Sequence, residues 1–236
     1  MVGLENVVHF VDTDTKAYNI IADIPGSDPS GAYVMAGAHL DSWVAGDGAV
    51  DNGAGVAMVM EAARILQAMG VKPKRTIRFA LWAGEEQGLL GSMAYVEQHI
   101  ATRQRKPGGP NTGLARFYGW ANRWPVTRQP GYDKLAAYFN IDNGSGKLRG
   151  IYAENNPAVV PILRDWFAPF GSLGANTVAI RGTGGTDQVR DQPRATPAGD
   201  QAEHDLGQAE GRRGVHHGAV GAVQRDLEAT AQGEAV

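Results

Sequence analysis

Three short stretches of this 236-residue chain read as central strands: AYVMAGA at 32–38, apolar almost without interruption, RTIRFALW at 75–82, which ends in the apolar run RFALW, and LAAYFNI at 135–141. Strands that are apolar on both faces suit a sheet covered on both sides. Between the first two lies a segment, 53–69, whose apolar residues recur every three or four positions until Gly70 stops them, which is the pattern of a helix. The same reading places strands at 17–24, 148–153 and 176–180, and helices at 89–100 and 157–169. Strand–helix alternation with turn-rich strand ends predicts an α/β domain with a mixed sheet.

Two segments break this pattern. Residues 101–131 are basic, lack sustained periodicity and carry Trp120 and Trp124, so they read as a long loop that helps to wall a pocket or plays a structural part. From Val189 onward Phe, Trp, Tyr, Ile, Met, Lys, Asn and Ser are all missing, while Gly, Ala, Arg, Gln, Glu and Asp dominate. Such text buries little apolar surface and predicts a disordered tail with, at most, weak helix near 219–232. The organisation expected is therefore a folded domain over 1–188 and a tail over 189–236, whose abrupt change of composition resembles translation in a shifted frame. The N-terminus lacks a basic-then-apolar signal pattern and starts almost at once with strand-like text, which suggests a clipped beginning.

With no cysteine, disulfides and thiolate metal sites are excluded. A net charge of −3 gives no reason to expect a nucleic-acid partner. No apolar run reaches the length of a membrane span.

Polar clusters sit where the predicted strands end: His39 with Asp41, Asp47 with Asp51, Glu85 with Glu86, and Asp142. Open α/β sheets bind ligands at the carboxyl ends of their strands. Imidazole and carboxylates without thiolate suit zinc or a similar first-row ion, and two-metal sites activate water and hold a substrate oxygen. Each residue also has a plainer reading. His39 taken alone reads as a surface or hydrogen-bonded residue at a strand end, Asp47 and Asp142 stand in ordinary turn text, and Asp51 precedes a helix it would cap. Glu85 and Glu86 would suit the first turn of a solvated helix. Yet they follow a buried-looking strand in a glycine-bracketed loop, and adjacent side chains point different ways. One can hold a metal while the other faces water.

The chain resembles the M28 family of zinc exopeptidases, in particular its carboxypeptidase Q-like branch. The resemblance is carried by GAHLDSW at 37–43, GDGAVDNGAG at 46–55, KRTIRFALWAGEEQGLLGSMAYV at 74–96, YFNIDNGSGKLRGIY at 138–152 and GGTD at 184–187, and spans about 17–188. It implies a three-layer α/β/α fold around a mostly parallel mixed sheet, with the C-terminal part of the family fold missing or altered. It also implies two Zn2+ ions: His39 and Asp142 on one, Glu86 on the other and Asp51 bridging. Asp41 would orient His39, and Glu85 would be the general base that takes a proton from the shared water. The activity implied is hydrolysis of peptide bonds near a chain end, as aminopeptidase, carboxypeptidase or dipeptidase, on short peptides or dipeptides. The partners implied are such peptides, with no nucleic acid or membrane, and a homo-oligomer is compatible. Many relatives are secreted or periplasmic and carry a protease-associated domain. The family pattern continues past GGTD with a histidine, where Gln188 stands here, and a late histidine ligand is not identifiable. His204, His216 and His217 have neighbours that do not match. Two other readings use the same residues: an inactive truncated or frameshifted relic, and a glutaminyl cyclase-like acyltransferase that needs one ion.

Overall fold

The computed structural model describes residues 16–109, 125–142, 146–183 and 186–187, the single positions 3, 5, 7, 9, 11, 13, 14, 121 and 144, and the backbone of 219–224. The strands are β1 (Ile20–Ile24), β2 (Tyr33–His39), β3 (Thr76–Trp82), β4 (Ala101–Thr102), β5 (Thr127–Arg128), β6 (Leu135–Asp142), β7 (Gly150–Tyr152), β8 (Thr177–Ala179) and β9 (Ala219–Gln224). The helices are α1 (Ala54–Ala68), α2 (Leu90–His99) and α3 (Val160–Phe167), the last flanked by 3-10 turns at Pro157–Val159 and Ala168–Leu173.

Seven strands form one sheet in the order β1-β3-β2-β6-β9-β7-β8, and β4 pairs with β5 separately. Strands β3, β2 and β6 run parallel at its centre, β1 is antiparallel to β3, and β7 and β8 are parallel. The alternation along the central strands explains the doubly apolar text. Ala36, Ala38, Ile77, Phe79, Leu81 and Ile141 turn to one face and meet Val56, Val59, Ala63 and Leu66 of α1. Tyr33, Met35, Ala80, Trp82 and Tyr138 turn to the other and meet Tyr95 and Val96 of α2. Helix α3 packs Val160 and Leu163 over Ile151, with Phe139 and Val178 alongside. The result is the three-layer α/β/α arrangement with a mixed, largely parallel sheet.

The expected elements fall within a few residues of their places. Within 101–131, the described residues include the β4–β5 pair, with Ala101 opposite Arg128, while Trp120 and Trp124 lie outside the described residues. One expectation is corrected. Residues 219–224 are strand, not helix: β9 lies between β6 and β7, antiparallel to the first and parallel to the second. The central strands leave backbone N–H and C=O groups that need partners, and their pairing outweighs the weak helix preference of AVGAVQ. The remainder of the 189–236 tail, including its expected disorder, lies outside the described residues.

Close packing at the sheet centre is set by Gly37. A Cβ there would stand 2.6 Å from Tyr138 Oη and 2.8 Å from Trp82 Nε1, two atoms already joined by a hydrogen bond of 2.7 Å. Gly37→Ala is therefore expected to destabilise the fold by about 1–3 kcal/mol through overpacking. Urea denaturation followed by tryptophan fluorescence checks this, and an unchanged midpoint would contradict the packing described.

Candidate metal site at the strand ends

Strand register brings the site together. Tyr33–His39 of β2 runs beside Thr76–Trp82 of β3, with His39 opposite Trp82. On the other side Gly37 lies opposite Asn140, so two residues further on His39 and Asp142 stand level. The hydrogen bond from Leu40 N to Trp82 O (2.7 Å) carries the pairing one residue past the strand. All three strands thus deliver their C-terminal acids and the histidine to one edge of the sheet.

His39 is 1% exposed and fixed at both ring nitrogens. Nε2 lies 2.9 Å from Asp142 Oδ1 and 3.0 Å from Asp51 Oδ1. Nδ1 lies 2.9 Å from the main-chain oxygen of Asp41, whose carboxylate is further away at 3.8 Å. The orienting contact from Asp41 is thus made by its carbonyl. Its carboxylate does something else: Oδ1 accepts the N–H of Glu85 at 3.0 Å and Oδ2 the N–H of Glu86 at 3.1 Å. One side chain between β2 and α1 therefore holds the two glutamates that follow β3.

Asp51 lies in the irregular turn at Ala49–Gly53 with φ −120° and ψ 89°, before a cis peptide to Asn52. It does not cap α1. That task falls to buried Asn52, whose Oδ1 accepts the Gly55 N–H at 3.1 Å and whose Nδ2 donates to Ile141 O at 2.9 Å. Asn52 ties the turn to β6 and leaves the Asp51 carboxylate for the site. Asp47 is exposed and belongs to neither residue group described below.

Two overlapping groups among the described residues could hold a metal ion: His39 with Asp51 and Glu86, and His39 with Glu85 and Asp142. In each, one ligand atom per residue lies within 4.8 Å of the others. Among the described residues, buried Asp51 Oδ1 and Glu86 Oε1 have no hydrogen-bond partner. The close approach of His39 Nε2 to Asp51 Oδ1 is not a directed bond, since that nitrogen serves Asp142. Unpartnered buried carboxylate oxygens beside an imidazole are costly in a bare protein and suit a cation. The residues thus fit a metal centre. His204, His216 and His217 lie outside the described residues.

The electrostatics agree with a crowded anionic pocket. Burial pushes the Glu85 carboxyl up to about 8, with the charges of Asp187 and Asp142 adding to it. Glu86 is raised as well, by burial and then by Asp51. Burial works against a charged His39, but the hydrogen bond and charge of Asp142, followed by Glu85 and Asp187, outweigh it and lift the ring to about 10. Asp187 is raised to about 7 by burial. It is 2% exposed, and its Oδ1 accepts the Ser92 hydroxyl at 2.6 Å. The GGTD motif contains Asp187, but its sequence gave no sign that it would face this site; Asn52, inside VDNG, was equally hidden.

The model of peptidase family M28 matches residues 19–209. Carboxypeptidase Q of Xenopus laevis is 44% identical over 86 residues, 36% of this chain and 18% of that protein. Leupeptin-inactivating enzyme 1 of Streptomyces exfoliatus is 43% identical over 100 residues, 42% of this chain and 23% of that protein. The matched part thus spans about a fifth of these curated relatives. The crystal structure of a peptidase M28 precursor from Shewanella amazonensis SB2B superposes with a TM-score of 0.54 at 31% identity, covering 73% of this chain and 33% of that one.

The raised groups give the metal-free chain a defined response to pH. Asp187 moves from 3.8 to about 7, Glu85 from 4.5 to about 8 and His39 from 6.5 to about 10. Each folded value lies above the unfolded one, so the folded chain holds more protons between them and stability falls as pH rises through those windows. For His39 the contribution is complete below 6.5 and is lost as pH rises through about 10. A metal ion needs the His39 lone pair and so competes with that proton. The thermal midpoint of the chelator-treated protein is expected to fall from about pH 5 to about pH 9, and zinc to reverse the fall at the alkaline end. Calorimetric melting across that range checks both; a midpoint that rises with pH would contradict the site's electrostatics.

Proposed function

Because the chain belongs to peptidase family M28, we propose that it is a metal-dependent exopeptidase that hydrolyses peptide bonds near a chain end, with Glu85 as general base. His39 and Asp142 would hold one zinc ion, Glu86 the other, and Asp51 would serve both. The observation that carries this reading is the Asp41 clamp. By fixing the N–H groups of Glu85 and Glu86 together, it lets two neighbouring carboxylates take different tasks. Glu86 joins His39 and Asp51 as a potential ligand, while Glu85 lies deeper, 7% exposed.

Zinc at such a site polarises a carbonyl oxygen and lowers the pKa of water. The protein's own part is positioning and proton transfer. Glu85 would take a proton from the attacking water and deliver it to the departing amine. Its affinity for protons in the bare pocket, near 8, suits a group that must both accept and release one near neutral pH. His39 is kept in one orientation by the Asp41 carbonyl, a supporting contact of the kind that fixes metal-bound imidazoles. The substrates expected are short peptides or dipeptides. The similarity to carboxypeptidase Q supports a peptide substrate.

That test is hydrolysis of a dipeptide panel with added zinc by the wild-type chain and Glu85→Ala. The variant is expected to lose about 10²–10⁴-fold in kcat, with zinc stoichiometry unchanged by calorimetry. A chelator should abolish the wild-type rate and zinc restore it. Equal rates for the two proteins would remove Glu85 from its role. Tight zinc binding without hydrolysis of any peptide would argue against the exopeptidase reading.

A further inference from the structure

Asp187 is a buried carboxylate without a part in that scheme. We propose that Asp187 is a positioning residue for Glu85, bracing the turn that carries it through Ser92. The inference rests on Glu85 being the base.

The brace can be followed atom by atom. Ser92, in the first turn of α2, donates its hydroxyl to Asp187 Oδ1 at 2.6 Å, and Ser92 Oγ lies 3.3 Å from Leu89 O. Leu89 N and Gly88 N both donate to Glu85 O at 2.8 Å. Asp187 is therefore linked through Ser92 and the 88–89 turn to the main chain of the base. On its other side Thr186 Oγ1 accepts Asn140 Nδ2 at 2.9 Å. Asn140 Oδ1 in turn accepts Tyr138 Oη at 2.6 Å, and that hydroxyl accepts Trp82 Nε1 at 2.7 Å. Asn140 lies two residues before Asp142 on β6. The Thr186–Asp187 pair thus spans the two halves of the site, the glutamate turn after β3 and the aspartate at the end of β6. The Asp41 clamp holds the glutamates from the β2 side, and Asp187 reaches the far end of their turn through Ser92.

The brace needs an acceptor for the Ser92 hydroxyl, which an asparagine at 187 would also supply without burying a charge.

Three variants of the full chain test the brace. Hydrogen exchange read by mass spectrometry is expected to quicken across residues 85–92 in Asp187→Ala and Ser92→Ala but not in Asp187→Asn, whose amide oxygen still accepts from Ser92. With zinc present, kcat on a cleaved dipeptide is expected to fall about tenfold in Asp187→Ala and Ser92→Ala and to be rescued in Asp187→Asn, with KM held within about threefold. Unchanged exchange at 85–92 in Asp187→Ala overturns the inference, as does quickened exchange throughout β2 and β3, which marks general loss of fold. Wild-type kcat in Asp187→Ala, or no rescue in Asp187→Asn, overturns the link between the brace and the base. A wild-type chain that cleaves no peptide sinks the base assignment instead, and the exchange comparison then decides the brace by itself.

Discussion

The two hydrogen bonds that the Asp41 carboxylate accepts from Glu85 N and Glu86 N, at 3.0 and 3.1 Å, set the geometry on which the rest of the site depends. Parallel pairing of β2 and β3 brings the two loops near each other but does not fix them, because the pairing ends with the Leu40 N–Trp82 O bond. Beyond that level the backbone must find partners elsewhere. Asp41 provides them with a charged acceptor, and bonds to a charged acceptor are shorter and stronger than neutral ones. Its carbonyl meanwhile meets His39 Nδ1 at 2.9 Å. A single residue thereby orients the imidazole and both glutamates, and the separation of His39 from Glu85 and Glu86 becomes a property of one short loop.

The cost of this arrangement is electrostatic. Asp51, Glu85, Glu86, Asp142 and Asp187 converge around one histidine, and Glu85, Glu86 and Asp187 are all pushed towards their neutral forms. A fold selected only for stability would replace such a cluster with apolar side chains. Its presence at the carboxyl edge of the sheet, with Asp51 Oδ1 and Glu86 Oε1 lacking a hydrogen-bond partner among the described residues, makes sense if a cation normally supplies the missing charge. Perturbed carboxyls in one cleft are also what acid–base chemistry requires.

How much of this was legible in the sequence follows from what each feature needs. The apolar runs at 32–38, 75–82 and 135–141 appear as β2, β3 and β6 because burial on both faces leaves a mark on every residue of a strand. The acids at their ends were visible for the same reason: Glu85 and Glu86 interrupt text that should otherwise stay apolar. What was hidden depends on side chains that choose between equivalent local partners. DNG could cap α1 with either Asp51 or Asn52, and only the contact of Asn52 Nδ2 with Ile141 O decides it. The orienting atom of Asp41 is likewise a carbonyl rather than the carboxylate, a distinction without any sequence signature. The strand at Ala219–Gln224 went unforeseen because its pairing is set by β6 and β7, not by its own residues.

Asp187 shows why such hidden residues matter to the chemistry. Glu85 and Glu86 sit on a turn containing Gly84 and Gly88, both at positive φ, a conformation glycine adopts readily. The turn is closed by its own backbone: Gly88 N and Leu89 N donate to Glu85 O, Leu90 N to Gly84 O and Gly91 N to Ala83 O. These bonds set its shape but not where that shape sits against the sheet. The Asp41 bonds locate its start, at the N–H groups of residues 85 and 86. The Ser92–Asp187 bond locates its end, where α2 begins. A carboxyl that acts as a base loses much of its effect when displaced by a fraction of an ångström, so a buried acid at 187, distant in sequence, is placed to matter to a turn it does not belong to.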